Sequence, residues 1–297
     1  MAATLIPLAR NWLPAGRPEV IGSLAGYEYR IRSSSEGPWL KVARGTERLR
    51  APLLWAVGSG RTGQTFLFRL NGELHESRVS LYAGNQQLDW TTGASDVRPE
   101  GIADAAGRLM STADIRECFG CHSSAPSGGG PGSPEALIPG ISCERCHGDA
   151  SEHLAGVRTG SAGRGKMRNF QTATSEEISE ACGECHRTWE RVMLMGIRGV
   201  NTVRFQPYRL TNSKCYNSSD RRISCIACHD PHRPEQLNAD RVDAACRACH
   251  SSGRKKCPRA AAGCGSCHMP KYEVPGTHAR FSDHQIRIVR AGERIPD

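Results

Sequence analysis

Apolar mass is scarce in this chain. Of its 297 residues only 38% are hydrophobic and 6% aromatic, which is thin for a core in a chain long enough for one large or two ordinary domains. Side chains alone do not account for its interior. No apolar run approaches the length of a membrane-spanning helix, which excludes a transmembrane segment within these residues. The opening MAATLIPLARNWLPAG lacks a basic lead-in and its apolar stretch is broken by Pro7, so it does not read as a signal peptide. A nucleic-acid-binding module is also missing, although the formal charge of +9 would ordinarily suggest an acidic partner.

Cysteine, by contrast, is abundant and patterned. Twelve of the 14 cysteines fall in six copies of C-x-x-C-H. The first three copies are Cys118, Cys121 and His122; Cys143, Cys146 and His147; and Cys182, Cys185 and His186. The last three are Cys225, Cys228 and His229; Cys246, Cys249 and His250; and Cys264, Cys267 and His268. A lone C-x-x-C reads equally as a zinc knuckle or a redox dithiol. The histidine after every second cysteine decides against both, because with 11 histidines in the chain six coincidences have a probability on the order of 10⁻⁹. In each copy two thiols add across the vinyl groups of a haem and the adjacent imidazole takes the iron as proximal ligand. The expected cofactors are six c-type haems. The span from Cys118 to His268 allows about 25 residues per haem, so the macrocycles must lie close together and supply the apolar mass that the side chains lack.

Haems also alter the charge argument. Their propionates, set against the charge of oxidised iron in its ring, would bring the net value to roughly +3. Much of the Arg and Lys excess then reads as propionate partners. Attachment of this kind is made outside the cytoplasm, so a periplasmic or extracellular location is expected, with an upstream leader removed or missed. The two remaining cysteines, Cys215 and Cys257, are expected to pair as a disulfide in that compartment, two buried thiols being the alternative.

The pattern predicts an α+β chain. Residues 1–110 form a small antiparallel β-rich domain, and residues 111–297 a mostly helical and loop domain organised by stacked haems, with a ligand-bearing tail. YEYRIR, WLKVA, PLLWAVG, TFLFRL and LHESRVSLY read as strands, and Asn71-Gly72 as a hairpin turn. Ser111 with Asp114 marks the start of a short helix ending in the first motif, and Thr174 with Glu177 a capping box opening a helix whose apolar face runs on to Trp189 and Val192. Met193 and Met195 extend that face and read as core. A shorter helix near Asp240–His250 carries the fifth motif. Residues 123–140 and the basic Gly-rich 155–169 read as turn-rich links. The basic segment from Val203 to Cys225 reads as irregular packing at a haem edge.

Six irons have twelve axial positions, of which the motif histidines fill half. The remaining histidines are His75, His153, His232, His278 and His284. All five are candidate distal ligands: His232 and His153 sit shortly after motifs, His278 and His284 lie in the tail, and His75 lies on a predicted strand of the haem-free domain. Five cannot serve six irons, so one sixth position must be filled otherwise, left open, or completed from another subunit.

GISCERCHG with His153, CHDPH, and CHMP with its His-containing tail resemble the multihaem cytochromes related to hydroxylamine oxidoreductase and the pentahaem nitrite reductases. WAVGSG, GQTFLF and ESRVSLY ahead of ECFGCH, then CGECHRTWE and FSDHQIRIV, are similar to bacterial multihaem cytochromes described alongside tetratricopeptide repeats, over nearly the whole chain. Such proteins usually carry a leader and often another haem motif that is absent here. The resemblance implies paired, stacked haems and electron transfer with redox partner proteins. Two alternatives stay open: a reductase acting on a small nitrogen or sulfur oxyanion at an under-ligated haem, and a homo-oligomeric filament in which the missing ligand crosses the interface.

Overall fold

The computed structural model describes residues 5–8, 19–124, 138–161, 167–233, 239–251, 257 and 262–297. Most of the link expected at 123–140 and part of that at 155–169 lie outside these residues. The chain divides into two compact units, one reaching to Arg145 together with Gly276–His278, the other formed by Cys146–Pro275 and Ala279–Asp297. This division falls at 145/146, whereas motif content alone placed it near 110. The reason is packing: the helix carrying the first motif is seated on the sheet.

That sheet is an antiparallel meander of β2 (Glu19–Leu24), β3 (Tyr27–Arg32), β4 (Trp39–Arg44), β5 (Glu47–Val57), β6 (Gly63–Leu70), β7 (Glu73–Tyr82) and β8 (Gln87–Trp90). Short β1 (Leu5–Pro7) pairs with β5, and β9 (Gly107–Leu109) with β7. Alternation sets its two faces. Tyr29, Ile31, Leu40, Val42, Phe66, Phe68 and Val79 turn inward onto Ala105 and Ala106 of α1 (Ile102–Ala106). Leu67 and Leu74 turn outward, where they join Trp55 and Phe119 in a second cluster that takes in Ile115 and Cys118. The Trp55 and Phe119 rings meet edge to face at 5.7 Å. The predicted hairpin is present: Asn71 and Gly72 both have positive φ (52° and 86°), as a two-residue turn matching the strand twist requires. Strands β2, β8 and β9 and helix α1 lie outside the predicted set. They are short or built from mixed residues with little periodic signal.

Helix α2 (Thr112–His122) begins at Ser111 with the predicted capping box: the Ser111 hydroxyl accepts from Asp114 N–H and the Asp114 carboxylate accepts from Ser111 N–H. Beyond it β10 (Ser123–Ser124) pairs antiparallel with β11 (Ile138–Pro139). Bonds from Arg108 and Ser111 hold the Asp114 carboxyl down at about 2. A folded pKa below the unfolded value stabilises the protein above about pH 4, and that contribution is lost as pH falls toward 2. Asp114→Asn is therefore expected to cost about 1 kcal/mol at neutral pH. In acid-unfolding curves it should flatten the dependence between about pH 4 and 2.

The second unit is helical and sparsely apolar. In order it contains α4 (Ser151–Arg158), α5 (Ser175–His186), α6 (Trp189–Met195), α7 (Gln206–Thr211), α8 (Cys225–Cys228), α9 (Ala239–His250) and α10 (Cys264–His268), then the hairpin β12 (Lys271–Val274) and β13 (Ala279–Ser282); α3 (Glu144–His147) lies at the division. Among the described residues its buried apolar cluster is Val192, Phe205 and Tyr208, with Met193 and Ile197 packed against it.

Three expectations need correction. Part of the 155–169 link is helical, since α4 runs to Arg158. The helix opened by Thr174 and Glu177 does not continue to Val192. It stops at Arg187, whose φ is +67°, and α6 restarts at Thr188, whose hydroxyl accepts from Arg191 N–H. Gly183 permits this break: a Cβ there would stand 2.5 Å from the Thr188 methyl group. The segment from Val203 to Cys225 contains a regular helix, α7, opened by Pro207.

Candidate haem centres

Each C-x-x-C-H lies on a helix or overlaps its end: α2, α3, α5, α8, α9 and α10 carry the six motifs in order. Cysteines at i and i+3 then share one helix face, which is the arrangement two bonds to one planar ring require. Both thiols of the first motif, Cys118 and Cys121, are half-buried, as are Cys182 and Cys185 of the third, Cys225 and Cys228 of the fourth, and Cys246 and Cys249 of the fifth. The other two motifs are uneven. Cys143 is exposed beside half-buried Cys146, and Cys267 is exposed beside half-buried Cys264, with the Ser266 hydroxyl 3.8 Å from the Cys267 sulfur. Among the described residues no three or more His, Cys, Asp or Glu side chains converge to hold a metal ion in the manner of a zinc site.

Thiols of the third and fourth motifs touch, as do those of the fifth and sixth. Cys182 of the third motif and Cys225 of the fourth share a hydrogen bond, which pushes Cys182 well up and Cys225 down. Burial raises Cys246 of the fifth motif, with Cys228 of the fourth as a neighbour, and Cys246 accepts from Cys264 of the sixth. Burial pushes Cys264 up to about 11. The last contact is held from behind by Asp243 on α9, which accepts from the N–H groups of Gly263 (2.6 Å) and Cys264 (2.8 Å). These two bonds hold the Asp243 carboxyl below its usual range. In the first unit, burial raises Cys118 to about 11, assisted by the Glu76 carboxylate.

The histidines show two recurrent geometries. In the first, Nδ1 faces a main-chain carbonyl, which fixes the ring and leaves Nε2 as the nitrogen to bind metal. His147 meets Arg168 O at 2.8 Å, His268 meets Arg287 O at 2.8 Å, His284 meets Ser282 O at 2.9 Å and His75 meets Glu73 O at 3.1 Å. For the two motif histidines the contact is reciprocal. Arg168 N–H donates to His147 O (2.8 Å) and Arg287 N–H to His268 O (3.3 Å), so each is held in a two-bond clasp by a residue about twenty positions onward.

In the second geometry two imidazoles lie near each other with nearly parallel planes. His147 and His232 have ring centroids 6.1 Å apart with planes within 13°, and His229 and His284 are 6.1 Å apart with planes within 25°. Two metal–nitrogen bonds of about 2.0–2.1 Å, with roughly 1.1 Å from nitrogen to ring centre on each side, give about 6.3 Å for imidazoles on opposite sides of one metal. Both pairs therefore have the centroid spacing that two imidazoles on opposite sides of one iron would have. Burial pushes His284 down to about 4, keeping it neutral and its lone pair available at physiological pH.

The other predicted ligands are placed differently. His75 sits on β7 with its ring on Phe68 (centroids 5.5 Å apart), on the opposite side of the strand from Leu74 and the α2 cluster. His153 is half-buried on α4. His278 lies in the first unit with φ +50°, its Nε2 3.0 Å from Asp89 Oδ2 and its ring 4.2 Å from that of Tyr82. The nitrogen that the clasped histidines leave available is engaged there by a carboxylate. His122 and His186 end α2 and α5, and His250 ends α9. Met193 packs beside Val192, whereas Met195 is exposed. No disulfide joins Cys215 to Cys257, and both are exposed, which corrects the expectation of a bonded or buried pair.

Sequence reasoning missed the residues that hold His284. Arg209 on α7 and Asp283 are both 0% exposed and form a two-pronged ion pair, Nε and Nη2 each donating at 2.8 Å. A mid-chain arginine in a basic, irregular-looking segment carries no sign of such a partner. The one available hint was FSDH itself, an acidic residue directly beside a candidate ligand.

No curated protein and no solved structure matches the chain, so the finer resemblances named above find no counterpart there. Within the sequence, residues 74–148 match the family model described as cytochrome c554 and c-prime, a stretch holding His75 and the first two motifs. That likeness, over about a quarter of the chain, supports a c-type cytochrome and haem-based electron transfer in general.

Proposed function

We propose that the protein is an extracytoplasmic electron-transfer cytochrome holding six c-type haems through its six motifs. The observation that carries this reading is the two near-parallel imidazole pairs with ring centroids 6.1 Å apart. His147 with His232, and His229 with His284, would hold the irons of the second and fourth haems. When bound, the haems supply one-electron chemistry at iron, while the polypeptide orients and tunes them. His122, His186, His250 and His268 are proximal ligands of the other four, with His75 and His153 as distal candidates. His278, engaged by Asp89, is given no iron.

The thiol contacts support an order for the carrier chain. With each sulfur holding its own macrocycle, the third haem would lie beside the fourth and the fifth beside the sixth, and the neighbouring Cys228 and Cys246 would bring these two pairs together. The second joins at the fourth, because His232 lies three residues beyond His229. Redox partner proteins would exchange electrons at the ends of this series.

Protein from a host that matures c-type cytochromes is expected to have the mass of the chain plus six haems, and low-temperature spin-resonance spectra dominated by low-spin, two-imidazole signals. A mass corresponding to four or five haems, or a mainly high-spin spectrum, would remove the assignment.

A further inference from the structure

The tail from Asp283 to Arg287 touches two of the proposed iron sites within five residues. His284 faces His229 at the fourth site. Arg287, three residues on, closes the clasp on His268 at the sixth: its carbonyl accepts from Nδ1 at 2.8 Å and its N–H donates to His268 O at 3.3 Å. Asp283 is the common anchor. One oxygen takes Arg209 Nε and also the N–H of Gln285 at 3.0 Å, while the other takes Arg209 Nη2 and, at 2.5 Å, Nη1 of Arg287. Its own N–H donates to Pro270 O at 2.9 Å. Arg209 adds a bond to Pro296 O at 2.5 Å, and the Arg287 side chain, 9% exposed, reaches Tyr272 Oη at 3.3 Å. Ser213 grips the strap between its ends, donating to His284 O at 3.1 Å and accepting from Ile286 N–H at 2.8 Å.

We propose that Asp283 is a positioning residue that sets two haem irons together, through His284 at the fourth site and through Arg287 and His268 at the sixth. This rests on the ligand assignment above. A buried carboxylate shared by two guanidiniums cannot relax on one side without releasing the other, because the low-dielectric interior offers no replacement partner. Nδ1 hydrogen bonding sets the donor strength of an axial imidazole, and imidazole placement sets the stability of ferric iron, so both potentials depend on this one side chain.

The test uses the fully loaded protein, with potentiometric titration and carbon monoxide binding to the reduced form. Asp283→Asn is expected to move two haem couples, each by roughly tenfold in oxidised-to-reduced ratio at fixed potential, about 59 mV for one electron. It should also make one haem more accessible to carbon monoxide. Arg287→Lys leaves the Arg209–Asp283 pair intact and is expected to move only one couple. Folded, fully loaded Asp283→Asn with one couple moved, or none, overturns the proposal. Should that variant not accumulate, Arg287→Lys decides: unchanged couples overturn the proposal. His284→Ala separates the two layers of inference. If it opens a haem to carbon monoxide while Asp283→Asn is silent, the positioning role alone falls. If it opens none, His284 is not a ligand, and the proposal falls with the assignment.

Discussion

His284→Ala is expected, on the ligand assignment proposed above, to leave one haem with one imidazole in place of two. The reduced variant should bind carbon monoxide at one more haem than the parent protein. The corresponding couple should rise in potential, because a strong imidazole donor that favours ferric iron is lost. A shift of part of the spin-resonance spectrum from low to high spin would accompany it. The site explains the size of the effect. His284 is half-buried, its ring centroid lies 6.1 Å from that of His229, and its Nδ1 is fixed against Ser282 O at 2.9 Å. An unchanged spectrum and no new ligand binding would remove His284 from the ligand set and leave the proposed fourth site with His229 alone.

The second large effect is on stability. Arg209→Ala leaves the Asp283 carboxylate buried with one of its two guanidinium partners gone, and breaking a buried pair in this way costs about 3–5 kcal/mol. Thermal unfolding should fall by on the order of 10 °C. The pH dependence has a definite sign. Burial pushes the Asp283 carboxyl up, but the bonds from Arg209 and Gln285 N–H outweigh it, and the folded value lies below the usual range. The pair therefore stabilises the protein above about pH 4, and the contribution is lost as pH falls through the depressed folded value. Without Arg209 that carboxyl rises, so the acid limb of the unfolding profile should move to higher pH. A second substitution of Asp283 by Leu should recover part of the loss, since it removes the stranded charge. If Arg209→Ala melts within about 2 °C of the parent, the pair contributes little and the strap is held by its main-chain bonds.

Much of this was legible in the residues, for local reasons. Haem attachment demands two thiols and an imidazole at fixed adjacent positions, so a covalent site must be written contiguously and can be counted. Capping at Ser111 and Thr174 and the turn at Asn71-Gly72 are equally local, each settled by hydrogen bonds or φ values within four residues. Strand alternation marked the sheet for the same reason. The break at Arg187 leaves no such mark because the apolar spacing continues across it, and what divides the helices is the fit of Thr188 against Gly183.

The order of residues alone sets the number and places of the C-x-x-C-H motifs, the α+β character and the pool of histidines open to ligand roles. The tertiary structure decided which histidines face one another, which thiols meet between motifs, and that His278 turns to Asp89. It also supplied the elements no periodicity announces: the clasps of His147 by Arg168 and of His268 by Arg287, and the burial of Arg209 against Asp283, 74 residues away. The physical reason is the same throughout. An axial bond or a buried ion pair asks only that two groups meet in space, and any chain path that brings them together satisfies it. A thioether pair on one ring also asks that its cysteines be neighbours on one turn of helix, and that requirement leaves a mark in the order of residues.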